Sequence, residues 1–184
     1  MGLEIFERGT LPRWLKVRQQ LDATDAGDVA QAVAAEFARP EIDAAVRPGQ
    51  RVALTAGSRG IDKFDRVLKA AVDEVKRRGA QPFIVPAMGS HAGATAEGQA
   101  AMIAHYGVTE AAMGCPILSS MDTVHLGEVE DGVPVWFDHN AWEADAVIPV
   151  GRVKPHTDFR GPVESGLMKM IAIGLGKQKG ADFF

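Results

Sequence analysis

Residues 51–95, RVALTAGSRGIDKFDRVLKAAVDEVKRRGAQPFIVPAMGSHAGAT, decide the fold. RVALTAG is a short β-branched strand that runs directly into the loop SRG. In the stretch that follows, Phe64, Val67, Leu68, Ala71 and Val75 recur at three and four residues, the period of an amphipathic helix, and Gly79 is the expected stop. PFIVPA is a second strand, left by the loop MGSHAGAT into another helix, AEGQAAMIAHYG. Strand, loop, helix, strand, loop, helix is the alternation that builds a parallel sheet. The expected fold is therefore α/β, Rossmann-like, with a mostly parallel sheet and flanking helices.

Outward from this unit the signals are weaker. Trp14 to Val17 is a candidate strand, and Asp25 a candidate cap for a helix through AGDVAQAVAAEFA, with Val29, Val33 and Phe37 on one face. After Cys115 the segments PILSS, TVHLGEVEDG and VPVWFD are short and alternating, and EDG is a turn signal, so a small β-hairpin insertion is expected. AWEADAVIPVGRVK reads as a short helix and a returning buried strand. A last helix is expected around Glu164–Ile173. There are no repeats and no linker, so residues 1–184 read as one α/β domain.

The bulk numbers exclude several functions. A net charge of −4 gives no basis for binding nucleic acid or an anionic membrane. The apolar run LMKMIAIGLG is too short to span a bilayer and contains Lys169, and MGLEIFERGT is no signal peptide, so a cytoplasmic location is expected. Cys115 is the single cysteine, which rules out an intrachain disulfide, and it reads as a buried thiol. No two histidines stand at the helical i, i+4 spacing of a zincin, so no self-contained zinc site is expected.

In parallel sheets ligands sit at the carboxyl ends of the strands. Three loops leave such ends here: TAGSRG, AMGSHAGAT and GRVKPHTDFRG. Each combines glycine with one residue able to bind an anion or move a proton, namely Arg59, His91 and His156. Singly, each has a bland reading as a solvated or structural loop residue. Together they make one candidate site. GSRG is far from a P-loop, so classical nucleotide binding is not indicated. Lys169, set among Leu167, Met168, Met170 and Ile171, is either snorkelling or an amine made reactive by desolvation.

Taken together, TAGSRGI, MGSHAGATAEGQ and GRVKPHTDFRGPVESGLMKMIAIGLGKQKGA resemble the amino-terminal half of the lactate racemase family, from about Arg51 to the end. That resemblance implies a nickel-pincer nucleotide, a pyridinium mononucleotide whose two sulfur arms and ring carbon hold nickel. It implies Lys169 as the amine that bonds to this cofactor, His91 and His156 as paired acid/base groups, and Arg59 as the clamp for a substrate carboxylate. The reaction implied is racemisation or epimerisation of a 2-hydroxy acid by proton-coupled hydride transfer. The family carries an acid three residues before the arginine, where this chain has Ala56, which opens the alternative of a larger, sugar-derived hydroxy acid. A non-catalytic ligand-binding α/β module is the alternative from another class.

The family's histidine ligand to nickel follows the lysine motif, and no histidine follows His156 here. The expectation is an amino-terminal part of a longer two-domain protein, inactive alone, with a missing carboxy-terminal domain as partner. Leu167, Met170, Ile171, Leu175 and Phe183 are expected to leave apolar surface near the carboxyl terminus, with self-association into a homo-oligomer as a consequence.

Overall fold

In a computed structural model, which describes residues 13–20 and 24–183, the chain is a mixed α/β structure. It begins with helices α1 (Val29–Phe37) and α2 (Pro40–Asp43). The central unit is β1 (Arg51–Ala56), α3 (Phe64–Arg77), β2 (Gln81–Pro86), a 3₁₀ turn at Ala92–Ala94 and α4 (Ala96–His105). Then come α5 (Glu110–Met113), the hairpin β3 (Thr123–Val129) and β4 (Val133–Asp138), α6 (His139–Trp142) and β5 (Ala146–Ile148). The carboxyl-terminal segment holds α7 (Leu167–Lys169), a π turn at Met170–Gly174 and α8 (Lys177–Ala181).

The main sheet has the order β2-β1-β5, with both pairs parallel and Leu54 facing Ile84 on one side and Ile148 on the other. Strand β1 is buried from Val52 to Ala56 because both faces of the sheet are covered. Val52, Leu54 and Ala56 pack with Phe64, Leu68, Ala71, Val72 and Val75 of α3, and with Ile103 and Met113. Each such aliphatic side chain contributes ~1.5–3 kcal/mol on full burial, so this face dominates the core energetics. Ala53, Phe83, Val85 and Ala87 face the other way, against Ala141 and Leu175. That second layer is built by the hairpin end and the carboxyl-terminal segment.

Helix α3 ends as its sequence dictates. Gly79 adopts φ +76°, its N–H bonds Lys76 O at 2.8 Å, and the N–H of Ala80 bonds Val75 O at 3.2 Å. This is the Schellman closure, and a side chain at Gly79 would be strained there. Within α3, Glu74 is buried but carries Arg78 at 2.7 Å; Arg78 in turn reaches Asp43 at 2.9 Å and lies over the Phe37 ring. A buried carboxylate held this way ties α1 and α2 to the core.

Several sequence expectations are corrected. Trp14 to Val17 forms no strand; Trp14, Leu15 and Val17 are exposed. The cap of α1 is Asp28, whose Oδ1 accepts the Gln31 N–H at 2.8 Å, while Asp25 accepts the Gly27 N–H and stands 3.8 Å from Lys63 Nζ. PILSS adds only a single bridge, Ile117 to Ile84, at the edge of β2. The last helix starts three residues late, at Leu167, because Gly166 sits at φ 72°, ψ −138° and Glu164 is spent on the preceding loop. Leu175 is fully buried and Met170 packs into the second core layer, so the expected apolar surface shrinks at these two positions.

Candidate functional site

The three parallel strands point their carboxyl ends at one cleft of about 510 Å³. Strand β1 is the switch point: the chain moves to one side of it for β2 and to the other for β5. Arg59 from the β1 loop, His91 from the β2 loop, His156 from the β5 loop and Lys169 from α7 all line this cleft. The residues singled out from sequence, 110 positions apart at their extremes (169 − 59), therefore share one place.

Each loop is fixed by its own chemistry. Ser58 follows Gly57, where an added Cβ would lie 2.8 Å from Met170 Cε. The Tyr106 hydroxyl donates to Ser58 O at 3.0 Å, and a Cβ on Gly60 would lie 3.1 Å from the same Tyr106 ring. Ser58 Oγ and His91 Nδ1 are 2.5 Å apart. After His91 the chain turns through Ala92, Gly93 and Ala94, all at positive φ, before Thr95 caps α4 by accepting the Gly98 N–H at 3.0 Å. Two alanines in the left-handed region are costly, and such strain gathers at sites where the backbone must present a side chain.

Beyond Ile148 the β5 chain leaves the ladder, and Thr55 takes over the pairing. Its hydroxyl accepts the Val150 N–H at 2.8 Å and donates to Val150 O at 3.2 Å. This fixes the stretch that delivers Arg152 and Lys154 to the cleft. A Cβ on Gly151 would lie 2.7 Å from Met170 Cε, so Met170 forms the floor between two glycines.

His156 is held in a defined form. Its Nδ1 accepts the N–H of Asp158 at 3.1 Å and of Phe159 at 3.4 Å, and its ring stacks on Phe159 at 4.1 Å between centroids. Backbone N–H groups can only donate, so Nδ1 keeps its lone pair and the neutral ring carries its proton on Nε2. Glu164 closes the loop: its Oε2 accepts the His156 N–H at 2.9 Å, its Oε1 the Gly161 N–H at 3.1 Å, and Arg160 lies at 3.4 Å. Those backbone donors, His156 first, hold the Glu164 carboxyl below its ordinary value.

The electrostatics are one-sided. Arg59, Arg152, Lys154 and Lys169 line the cleft and, among the described residues, no aspartate or glutamate does. Among the described residues no hydrogen bond or ion pair engages Arg59, Arg152 or Lys169. Such a cleft attracts anions. Lys169 itself is exposed, which fits the snorkelling alternative and not the desolvated amine. Ala56 is fully buried in the core and does not line the cleft, so it gives the larger-substrate reading no support.

Cys115 is buried, and burial first of all pushes its thiol pKa up, as an unreactive core thiol requires. Among the described residues no group of three or more His, Cys, Asp or Glu side chains is placed to hold a metal ion. No helix among them is long and apolar enough to cross a membrane.

Sequence reasoning passed over Ser58, Arg152 and Lys154. The last two stand two apart on the chain leaving a strand, and that placement was the available signal. Glu164 and Phe159 carried no signal for what they do, since the carboxylate binds backbone N–H groups of its own loop and the ring stacks on His156 only once that loop is folded.

A three-stranded parallel α/β fold with a cationic, histidine-bearing cleft at its switch point defines a class of small-anion sites. The family can now be given: the lactate racemase N-terminal domain model matches residues 7–180, and the chain belongs to that family. Comparison with curated proteins gave no match, and neither did comparison with solved structures.

Proposed function

We propose that this chain is the substrate- and cofactor-binding part of a nickel-pincer nucleotide-dependent racemase or epimerase of a 2-hydroxy acid, completed by a carboxy-terminal domain. The observation that carries the reading is the meeting of His91, His156, Arg59 and Lys169 in a cleft that no carboxylate of the described residues lines. The residues suit the anionic, covalently attached part of such a cofactor. Lys169 offers a primary amine free of ion pairs, and Arg152 and Lys154 offer charge to a phosphate or carboxylate. When bound, the cofactor supplies an electrophilic ring that takes the α-hydrogen as hydride.

The chain's own residues supply the rest. Arg59 fits a substrate carboxylate with its two-pronged guanidinium. His91 can donate Nδ1–H to Ser58 Oγ, which leaves Nε2 unprotonated and able to take the hydroxyl proton of the substrate. His156 offers Nε2–H to an oxygen of the ligand. To take a proton it must accept it on Nδ1, which costs the two backbone bonds from Asp158 and Phe159. The pair is therefore asymmetric at rest: one base and one donor. Both enantiomers are served only if this assignment can reverse.

The test uses the full-length protein loaded with cofactor, substrates deuterated at the α-carbon, and the variants His91→Ala and His156→Ala. Each variant is expected to lose racemisation by ~10²–10⁴-fold, the usual cost of a lost acid/base group. Transfer of deuterium from the substrate to the cofactor within a single turnover, read by mass, should survive for one enantiomer in each variant, and for opposite ones. A mass adduct at Lys169 accompanies the loaded wild type. Near wild-type racemisation by either variant removes that histidine. A loaded wild type that binds hydroxy acids but neither racemises them nor transfers deuterium to the cofactor leaves the non-catalytic binding module.

A further inference from the structure

Lys177 combines two conditions a lysine rarely meets. Its backbone is left-handed, at φ 56°, and its side chain is 0% exposed. It does not line the cleft. Its ammonium donates to Pro86 O at 2.5 Å, stands 3.0 Å from Asp138 Oδ2, and lies 3.5 Å from Gln99 Oε1. Three oxygens surround it, at the end of β2, the end of the hairpin and in α4: Pro86 O and Gln99 Oε1 as hydrogen-bond acceptors and Asp138 as an ion pair. Burial lowers the Lys177 pKa, and Asp138 opposes that shift. Asp138 is itself committed, since its Oδ1 caps α6 by accepting the Ala141 N–H at 2.8 Å.

The consequence runs through Gln99, which is fully buried. An ammonium has no lone pair, so the amide oxygen of Gln99 must face Lys177. The amide nitrogen then faces the other way, and it donates to Gly89 O at 2.8 Å and to His91 O at 3.4 Å. A flipped amide would set donors against donors at Lys177 and acceptors against acceptors at the loop. The same loop touches the segment that carries Lys169: Gly89 N–H donates to Gly174 O at 3.2 Å.

We infer that Lys177 is a positioning residue for His91, acting through the amide of Gln99, so that the walls bearing Lys169 and His91 are set in register by one buried ammonium. The importance of the position rests on the reading of His91 as a site residue; the coupling itself does not. The left-handed backbone at Lys177 is the kind of local strain that the surrounding contacts must offset.

The experiment is histidine-ring NMR on the chain as it stands, with no cofactor or hydroxy acid present. Gln99→Met keeps the volume and leaves the Lys177–Asp138 pair intact, but cuts the link to the loop. Gln99→Glu keeps an acceptor for Lys177 and removes the donor. Both are expected to move the His91 ring nitrogen shifts, because each removes the amide donor from Gly89 O and His91 O. His125 and His139 should stay in place, and a cooperative thermal melt shows that the variants fold. Lys177→Met should move His91 in the same direction where it folds. If it does not fold, the two Gln99 variants decide alone. An unmoved His91 in folded Gln99→Met, or a His91 that responds to Lys177→Met and not to Gln99→Met, overturns the inference. Failure of the racemase reading would leave this result standing.

Discussion

Ser58 Oγ and His91 Nδ1 lie 2.5 Å apart, joining the carboxyl ends of β1 and β2 across a gap of 33 residues. Each end is independently anchored: Ser58 by the Tyr106 hydroxyl on its carbonyl, His91 by Gln99 on its own. The bond orients an imidazole that is otherwise exposed. Ser58→Ala should leave the fold intact and lower turnover of the loaded full-length enzyme by roughly 3–10-fold, the range of one neutral hydrogen bond. Steady-state kinetics check it, with kcat falling more than KM rises. Unchanged kcat would mean that His91 finds its orientation elsewhere.

The backbone bonds at His156 predict a specific tautomer. In ¹⁵N-edited spectra of the neutral ring, Nδ1 should resonate as an unprotonated nitrogen and Nε2 as a protonated one. Phe159→Leu removes the stacked ring but keeps the N–H donor, so the tautomer should persist while the ring broadens through added motion. A protonated Nδ1 in the wild type would contradict the donor pattern from Asp158 and Phe159.

Glu164 gives the same loop a pH dependence whose sign is fixed. Its carboxyl is held below the ordinary value of 4.5, chiefly by the His156 N–H and then by the Gly161 N–H. A group with a depressed folded pKa stabilises above its unfolded value, and that contribution disappears as the pH falls through the folded one. Protection of the Gly161 amide, measured relative to an open chain, should therefore persist below the ordinary carboxylate value and be lost as the pH falls through the depressed one. Glu164→Gln should raise exchange at neutral pH and abolish the acid step. An acid step that persists in Glu164→Gln assigns it to another carboxylate.

The sequence carried the βαβ unit plainly because its helix and strands obey different periods, three-to-four in Phe64–Val75 and continuous apolar burial in Val52–Ala56. Arg59, His91 and His156 were legible for a related reason: a parallel strand of known direction says where its following loop must lie. What stayed hidden depends on contacts no local pattern records. Glu164 looked like a residue of the last helix, yet its oxygens are consumed by His156 and Gly161. Nothing in GKQKG marks Lys177 out from Lys179. Only the fold brings Asp138, Pro86 O and Gln99 around it. Trp14 to Val17 had strand-forming residues and no neighbouring strand to pair with, which propensity alone cannot supply.

Two glycines against the same methionine predict different costs. At Gly174 an added Cβ would lie 2.8 Å from Ala87 O and 3.2 Å from Met170 Sδ, so it meets rigid backbone at the end of β2. At Gly151 the only near atom is Met170 Cε, at 2.7 Å, the free end of a flexible side chain that can rotate away. Gly174→Ala should therefore destabilise by ~1–3 kcal/mol, as overpacking against fixed atoms does. Gly151→Ala should cost under ~1 kcal/mol, with most of that recovered when Met170 is shortened to Val in the same chain. Urea unfolding midpoints at constant slope check both. Equal costs for the two alanines would show that the segment carrying Lys169 is not seated against Ala87, and the register of the two cleft walls would have to be drawn differently.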